Sequence, residues 1–86
     1  MNKKHRKTLL TIFKDPVSGS IVWTDIEALF RALGGDVSEG SGSRIRVLLN
    51  DVGMVFHRPH PRKETDKGAV KSVRNFLKRA GVKPNA

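Results

Sequence analysis

The sequence predicts an α+β domain in which one small antiparallel sheet packs with a few helices, and three observations predict it. Its 86 residues suffice for a single two-layer domain with a modest core, and not for a large enclosed active site. Residues 42–61 read as a β-hairpin that opens on Gly42-Ser43-Arg44 and closes on Pro59-His60-Pro61. Two further stretches carry apolar residues at helical spacing between recognisable start and stop signals.

In the hairpin, Arg44-Ile45-Arg46-Val47-Leu48-Leu49 alternates and then turns apolar. Asn50-Asp51-Val52-Gly53 offers a residue with φ > 0 to reverse the chain, and Met54-Val55-Phe56-His57 returns. Successive strand side chains point to opposite faces. Arg44 and Arg46 therefore share one face, and Ile45, Val47 and Leu49 share the other. One face packs while the basic one is left to bind.

The first helix is expected over residues 3–14, with Leu9, Leu10 and Phe13 as its apolar stripe and Asp15-Pro16 as its end. Val17-Ser18-Gly19-Ser20 is a loop. Thr24-Asp25-Ile26-Glu27 has capping-box spacing, so a second helix is expected from Thr24 to about Leu33, stopped by Gly34-Gly35. Ile26, Leu29, Phe30 and Leu33 form its core stripe. Trp23, just before the cap, reads as a staple or core residue rather than a platform for a base. Residues 36–41 hold a single hydrophobe, Val37, and read as a loop or a poor edge strand. The last helix starts at Asp66, a good N-cap, and stops at Gly81 with Pro84 beyond. Val70, Val73, Leu77 and Ala80 are its buried stripe, with Phe76 at the edge.

The chain has no cysteine, which excludes disulfides and thiolate zinc sites. No apolar run approaches the roughly 18 residues of a membrane span, and the lysine-rich start leads into no signal-peptide core. A soluble, cytoplasmic protein without a membrane partner is expected. The net charge of +9 is unevenly spread. Residues 1–14 carry five Lys/Arg and no acid, residues 15–53 three against six, and residues 54–86 nine against two. Basic flanks around an acidic middle point to a polyanionic partner, most simply nucleic acid. A merely solvated basic surface is the alternative.

Lys67, Lys71, Arg74 and Lys78 line the side of the last helix opposite its apolar stripe, and no acid interleaves between Lys67 and Arg79. Like charges at that spacing cost a few tenths of a kcal/mol each, a cost that a polyanion relieves. His60, held between two prolines, is the first candidate for proton transfer, because imidazole titrates near neutrality. His57 is the second, and alternation sets it with Val55, away from Phe56 and Arg58. A lone histidine at a strand end is more often structural than catalytic. A metal pair of His57 and His60 would need a helix, which Pro59 prevents. No metal, other cofactor or small-molecule substrate is expected.

Gly42-Ser43 at the head of a strand, Pro59-His60-Pro61 after the next, and the run Gly68, Ser72-Val73, Leu77, Ala80-Gly81 resemble the HicA toxins of bacterial toxin–antitoxin pairs. The likeness covers roughly residues 24–82. Residues 1–20 lie outside it as a basic N-terminal helical extension, residues 21–82 form the toxin-like domain, and residues 83–86 a tail. The resemblance implies a double-stranded-RNA-binding-domain-like fold, with a three-stranded antiparallel sheet and helices on one face, and so promotes residues 36–41 to a strand. It implies a metal-independent endoribonuclease that cleaves mRNA and is neutralised by a HicB-like antitoxin.

The family's catalytic histidine directly follows the Gly-Ser pair, and the chain has Arg44 there. A guanidinium is no general base at neutral pH, though it can hold a phosphate and stabilise the charge that develops on it. The expected catalytic set is therefore His60, His57 and Arg44. The expected RNA ligands are Ser43, Arg44, Arg46 and Arg58 on the hairpin, Arg62 and Lys63 after it, and Lys67, Lys71, Arg74 and Lys78 on the last helix. A non-catalytic RNA-binding or antitoxin-binding module of the same fold is the alternative.

Overall fold

The computed structural model describes residues 1–85. Three helices cover one face of a three-stranded antiparallel sheet: α1 (Lys3–Phe13), α2 (Trp23–Ala32) and α3 (Lys67–Arg79), with β2 (Asp36–Glu39), β3 (Arg44–Leu49) and β4 (Val52–His57) in the order β2-β3-β4. A second ladder joins β1 (Ile21–Val22) to β5 (Glu64–Thr65), pairing Ile21 with Thr65 and Val22 with Glu64. Two-residue strands leave no periodic trace, so this ladder is invisible in the sequence.

The hairpin forms where expected, and its turn is tighter. Asn50 and Asp51 take φ of 49° and 66°, the left-handed pair that a two-residue hairpin loop demands. Gly53 is therefore not the reversing residue but a strand residue opposite Leu48. The Asn50 side chain also donates to the Ala80 carbonyl at 2.8 Å, fixing the hairpin tip to the end of α3. Residues 36–39 do form a strand, at the sheet edge, with Val37 opposite Val47 as the inward anchor.

Helix boundaries show which local signals prevail. Asp66 caps α3 as expected, accepting from the Ala69 amide at 2.8 Å. Both α2 and α3 end in the paired amide-to-carbonyl pattern that a left-handed glycine allows. Gly34 at φ 89° is followed by Gly35 N–H donating to the Phe30 carbonyl at 2.9 Å, and Gly81 at φ 81° by Val82 N–H donating to Leu77 at 2.9 Å. The capping box at Thr24 does not form. α2 starts at Trp23 with Val22 as an uncapped N-cap, because the Trp23 amide donates to the Lys63 carbonyl at 3.0 Å and the helix begins one residue early. Glu27 is thereby released from a capping role.

On α1 the buried residues are Thr8, Leu9 and Ile12, whereas Leu10 is half exposed. The expected stripe of Leu9, Leu10 and Phe13 is corrected by about a third of a turn, since Leu9 and Ile12 reach the groove between α2 and α3. The helix thus contributes Leu9 and Ile12 to the same core as the rest of the chain. Phe76 is likewise not at an edge but fully buried. It meets Phe30 and Phe56 edge-on, with both ring centroids at 5.6 Å, while Phe30 stacks on Phe56 at 5.6 Å and Trp23 lies against Phe56 at 5.9 Å. Such pairs add about 0.5–1.5 kcal/mol each beyond their area. Ile45, Val47 and Leu49 complete the sheet's contribution to this core.

Candidate nucleic-acid interface

The helices leave the other face of the sheet open. Along β3 burial alternates strictly, with Ile45, Val47 and Leu49 inside and Arg44, Arg46 and Leu48 outside. β4 adds Val55 and His57 to the open face. The register sets Arg44 opposite His57 and Arg46 opposite Val55. The Arg58 amide donates to the Ser43 carbonyl at 2.9 Å, which makes 43/58 a hydrogen-bonded pair and the adjacent 44/57 a non-hydrogen-bonded one. In such pairs the two side chains stand closest, with Cβ atoms about 4.5–5.5 Å apart. The structure thus brings Arg44 and His57 together, a pairing that depends on register and not on spacing.

Arg44 is held by a compact connection between β2 and β3. The Gly40 amide donates to the Arg44 carbonyl at 2.8 Å, the Arg44 amide donates to Ser41 at 3.1 Å, and Gly42 takes φ 61°. A Cβ on Gly40 would stand 3.2 Å from the Arg44 Cβ. Beside it is a shallow depression of about 190 Å³, floored by Gly40, Ser41, Arg44, Arg46 and Val55. Neither Arg44 nor Arg46 makes a side-chain hydrogen bond or ion pair among the described residues.

Arg58 belongs to a different system. Its Nε donates to Glu27 Oε2 at 2.8 Å and Nη2 to Glu27 Oε1 at 3.1 Å, while Nη1 and Nη2 reach the two oxygens of Glu39 at 2.7 Å each. Glu27 is almost wholly buried and also accepts from the Trp23 indole N–H, with Arg31 at 3.8 Å. Burial pushes the Glu27 carboxyl up. The hydrogen bonds from Arg58 and Trp23 and the charges of Arg58 and Arg31 outweigh it, leaving the group below its ordinary value. The Arg58 hydrogen bond likewise lowers Glu39, and the two glutamates raise Arg58. The structure places Arg58, expected as an RNA ligand, in this ion-pair system, where its donors hold α2, the end of β2 and the end of β4 together. The pattern of a Glu beside a Trp on an apolar helix face was the available signal, and the capping-box reading obscured it.

Arg74, also expected as an RNA ligand, is likewise engaged within the fold. Its side chain is 12% exposed and donates from Nε to the Ile12 carbonyl at 2.9 Å, from Nη2 to the Lys14 carbonyl at 2.8 Å, and from Nη1 to Asp15 at 3.1 Å. It satisfies the carbonyls at the end of α1 that lack a helical partner. Lys67, Lys71 and Lys78 remain exposed on α3. Arg62 and Lys63 are exposed in the loop before β5, with Arg62 3.9 Å from Glu64. Ser43 sits at the head of β3, and His60 is exposed in the loop after β4, outside the sheet. His57 thus stands on the open sheet face and His60 in the loop beyond it. Among the described residues no three His, Asp or Glu gather as a metal site, and no helix is long and apolar enough to cross a membrane.

These features define a small α+β domain with an open basic sheet face bearing one arginine–histidine pair. The chain belongs to the HicA toxin family: the family model described as HicA toxin of bacterial toxin-antitoxin matches residues 23–82. It is therefore a toxin of a toxin–antitoxin system, with the fold that the family implies and with α1 outside the matched span. Neither the curated proteins nor the solved structures compared with it gave a match.

Proposed function

We propose that this toxin is an endoribonuclease that cuts mRNA in the cytoplasm on the open face of the sheet, and that a HicB-like antitoxin neutralises it. The observation that carries the reading is the pairing of Arg44 with His57 on that face. The Nε2 or Nδ1 atom of His57 takes the proton of a ribose 2′-hydroxyl as its oxygen attacks the adjacent phosphorus. The bond from phosphorus to the 5′-oxygen breaks, that oxygen takes a proton from the imidazolium or from water, and a 2′,3′-cyclic phosphate remains. Arg44 holds the phosphate and stabilises the extra charge of the pentacoordinate state, the part that a permanently charged, forked donor performs best. Arg46 and Lys63, and at longer reach Lys67, Lys71 and Lys78, neutralise flanking phosphates. The register that sets His57 opposite Arg44 supports His57 over His60 as the base.

The test is incubation of the purified protein with labelled mRNA in EDTA. Cleavage that persists in EDTA, is lost in His57→Ala and survives in His60→Ala supports the reading. Loss in His60→Ala alone would move the chemistry to the loop. The presence of Arg44 where the family's histidine is expected favours a second reading, a domain that binds RNA without cutting it. Salt-sensitive binding with no cleavage by the wild type would select that one.

A further inference from the structure

Between the start of α2 and the loop after β4 runs an open groove of about 620 Å³. Val22, Trp23, Pro59 and Pro61 line it together with the ion-paired Arg58, and Arg62 and Lys63 add exposed positive charge. No acid lines it. Thr24, whose hydroxyl makes no hydrogen bond among the described residues, adds one polar group. Arg58 and Pro59, which directly follow His57, line the groove, so it lies at the same end of the sheet as the Arg44–His57 pair, on the side to which Arg58 turns.

We propose that this groove is a nucleobase slot: it takes one unstacked base of the RNA strand whose phosphate lies on Arg44 and His57. The inference rests on the RNA reading of the sheet face and deepens it, because it gives the toxin a preference for one position flanking the cut. Unpaired bases are recognised by flat apolar walls and a few edge contacts, and proline rings with a single hydroxyl supply that combination. The exposed cations suit the phosphates on either side of such a base.

The walls are also pre-formed. The Trp23 amide holds the Lys63 carbonyl at 3.0 Å, Val22 is fixed by its pairing with Glu64 in the β1–β5 ladder, and Arg58 anchors the loop through Glu27 and Glu39. The same feature disfavours an extended peptide as occupant. Pro59 and Pro61 have no N–H, and the Trp23 amide and Lys63 carbonyl are already bonded to each other, so few backbone groups are left for strand addition.

The test uses the full chain and a short single-stranded RNA of mixed sequence, with an abasic ribose placed at each position in turn. Wild type is expected to lose roughly tenfold or more in affinity at one position, the effect of one stacked base. Thr24→Trp, at an exposed site, fills the groove. It is expected to abolish that penalty while retaining the salt dependence and the requirement for Arg44. A photoreactive uridine at the sensitive position should crosslink to the segment 59–63 in wild type. Salt-sensitive, Arg44-dependent binding with no abasic-sensitive position would overturn the slot and leave the sheet-face reading intact, as would a penalty that persists in Thr24→Trp. Should the wild type and Arg44→Ala bind RNA equally poorly, the sheet-face reading falls and the slot with it. Thr24→Trp that weakens only antitoxin binding would make the groove a protein contact and sink the proposal.

Discussion

Arg44 and Arg58 lie at the same end of the sheet, and both are expected from the sequence as RNA ligands. Arg44 projects from the open face beside His57, with no acid engaged. Arg58, one residue past His57, turns inward and meets four carboxylate oxygens. Strand alternation separates them: 57 faces out, so 58 faces in, where a buried glutamate is available. One arginine leaves its charge unpaired among the described residues, and the other neutralises a charge that the core could not otherwise hold. Basic residues in a small domain are thus no uniform reservoir of phosphate contacts.

Breaking the open side should give the largest effect on function. Arg44→Ala is expected to lower RNA cleavage by about 10²–10³-fold, the cost of losing one preorganised donor, while the melting temperature stays within about 3 °C of wild type. A large fall in melting temperature would place Arg44 in the same structural class as Arg58. Arg58→Ala should do the reverse. It leaves Glu27 buried without its main partner, and thermal unfolding should fall by on the order of 10 °C.

Acid sharpens the same contrast. Glu27 sits below its ordinary value of 4.5, so its ion pairing stabilises the native state above that pH and is lost as pH falls through the lower native value. Without Arg58, burial becomes the leading influence and raises the carboxyl, so protonation then favours the native state. The melting-temperature gap between wild type and Arg58→Ala should therefore narrow from about pH 7 to about pH 4. A gap that widens would mean that Glu27 is not the group in control.

Smaller effects separate the cations of α3. Arg74→Ala removes charge-assisted bonds to the end of α1 and should lower melting by about 5 °C, with faster amide exchange in α1. Lys78→Ala, on the exposed side, should leave melting unchanged within error. It should reduce the slope of log affinity against log salt by about 0.7, the value for one lost contact to a single strand. Equal behaviour of the two variants in both measurements would remove the distinction between them.

How much of this was legible varied with the range of the signal. The inward alternation of Ile45, Val47 and Leu49, the caps at Asp66 and Gly81 and the buried positions Ile26, Leu29, Phe30, Val70, Val73, Leu77 and Ala80 are written in residues a few positions apart and form as expected, while Phe76 joins the core from its expected place at the edge. The capping box at Thr24 was also a local signal, and it lost to a single bond from the Trp23 amide to Lys63, far along the chain. The rotation of the α1 stripe followed from the groove it had to fill. In the candidate site, the outward face of Arg44 and Arg46 was readable from period-2 geometry. The partnership of Arg44 with His57 was not, because it requires the two-residue turn at Asn50-Asp51 to set the register.

By itself, then, the sequence determined the three helices, the β3–β4 hairpin with its apolar face and the charge available to a polyanion, all consequences of side-chain size, polarity and spacing within one or two turns of chain. Tertiary structure alone decided which charges remain open. Arg58 finds Glu27 and Glu39, Arg74 finds the end of α1, and Arg44 finds no acid, because a guanidinium pairs with whatever oxygen the fold brings within about 3 Å, and that proximity is not encoded by neighbours in sequence.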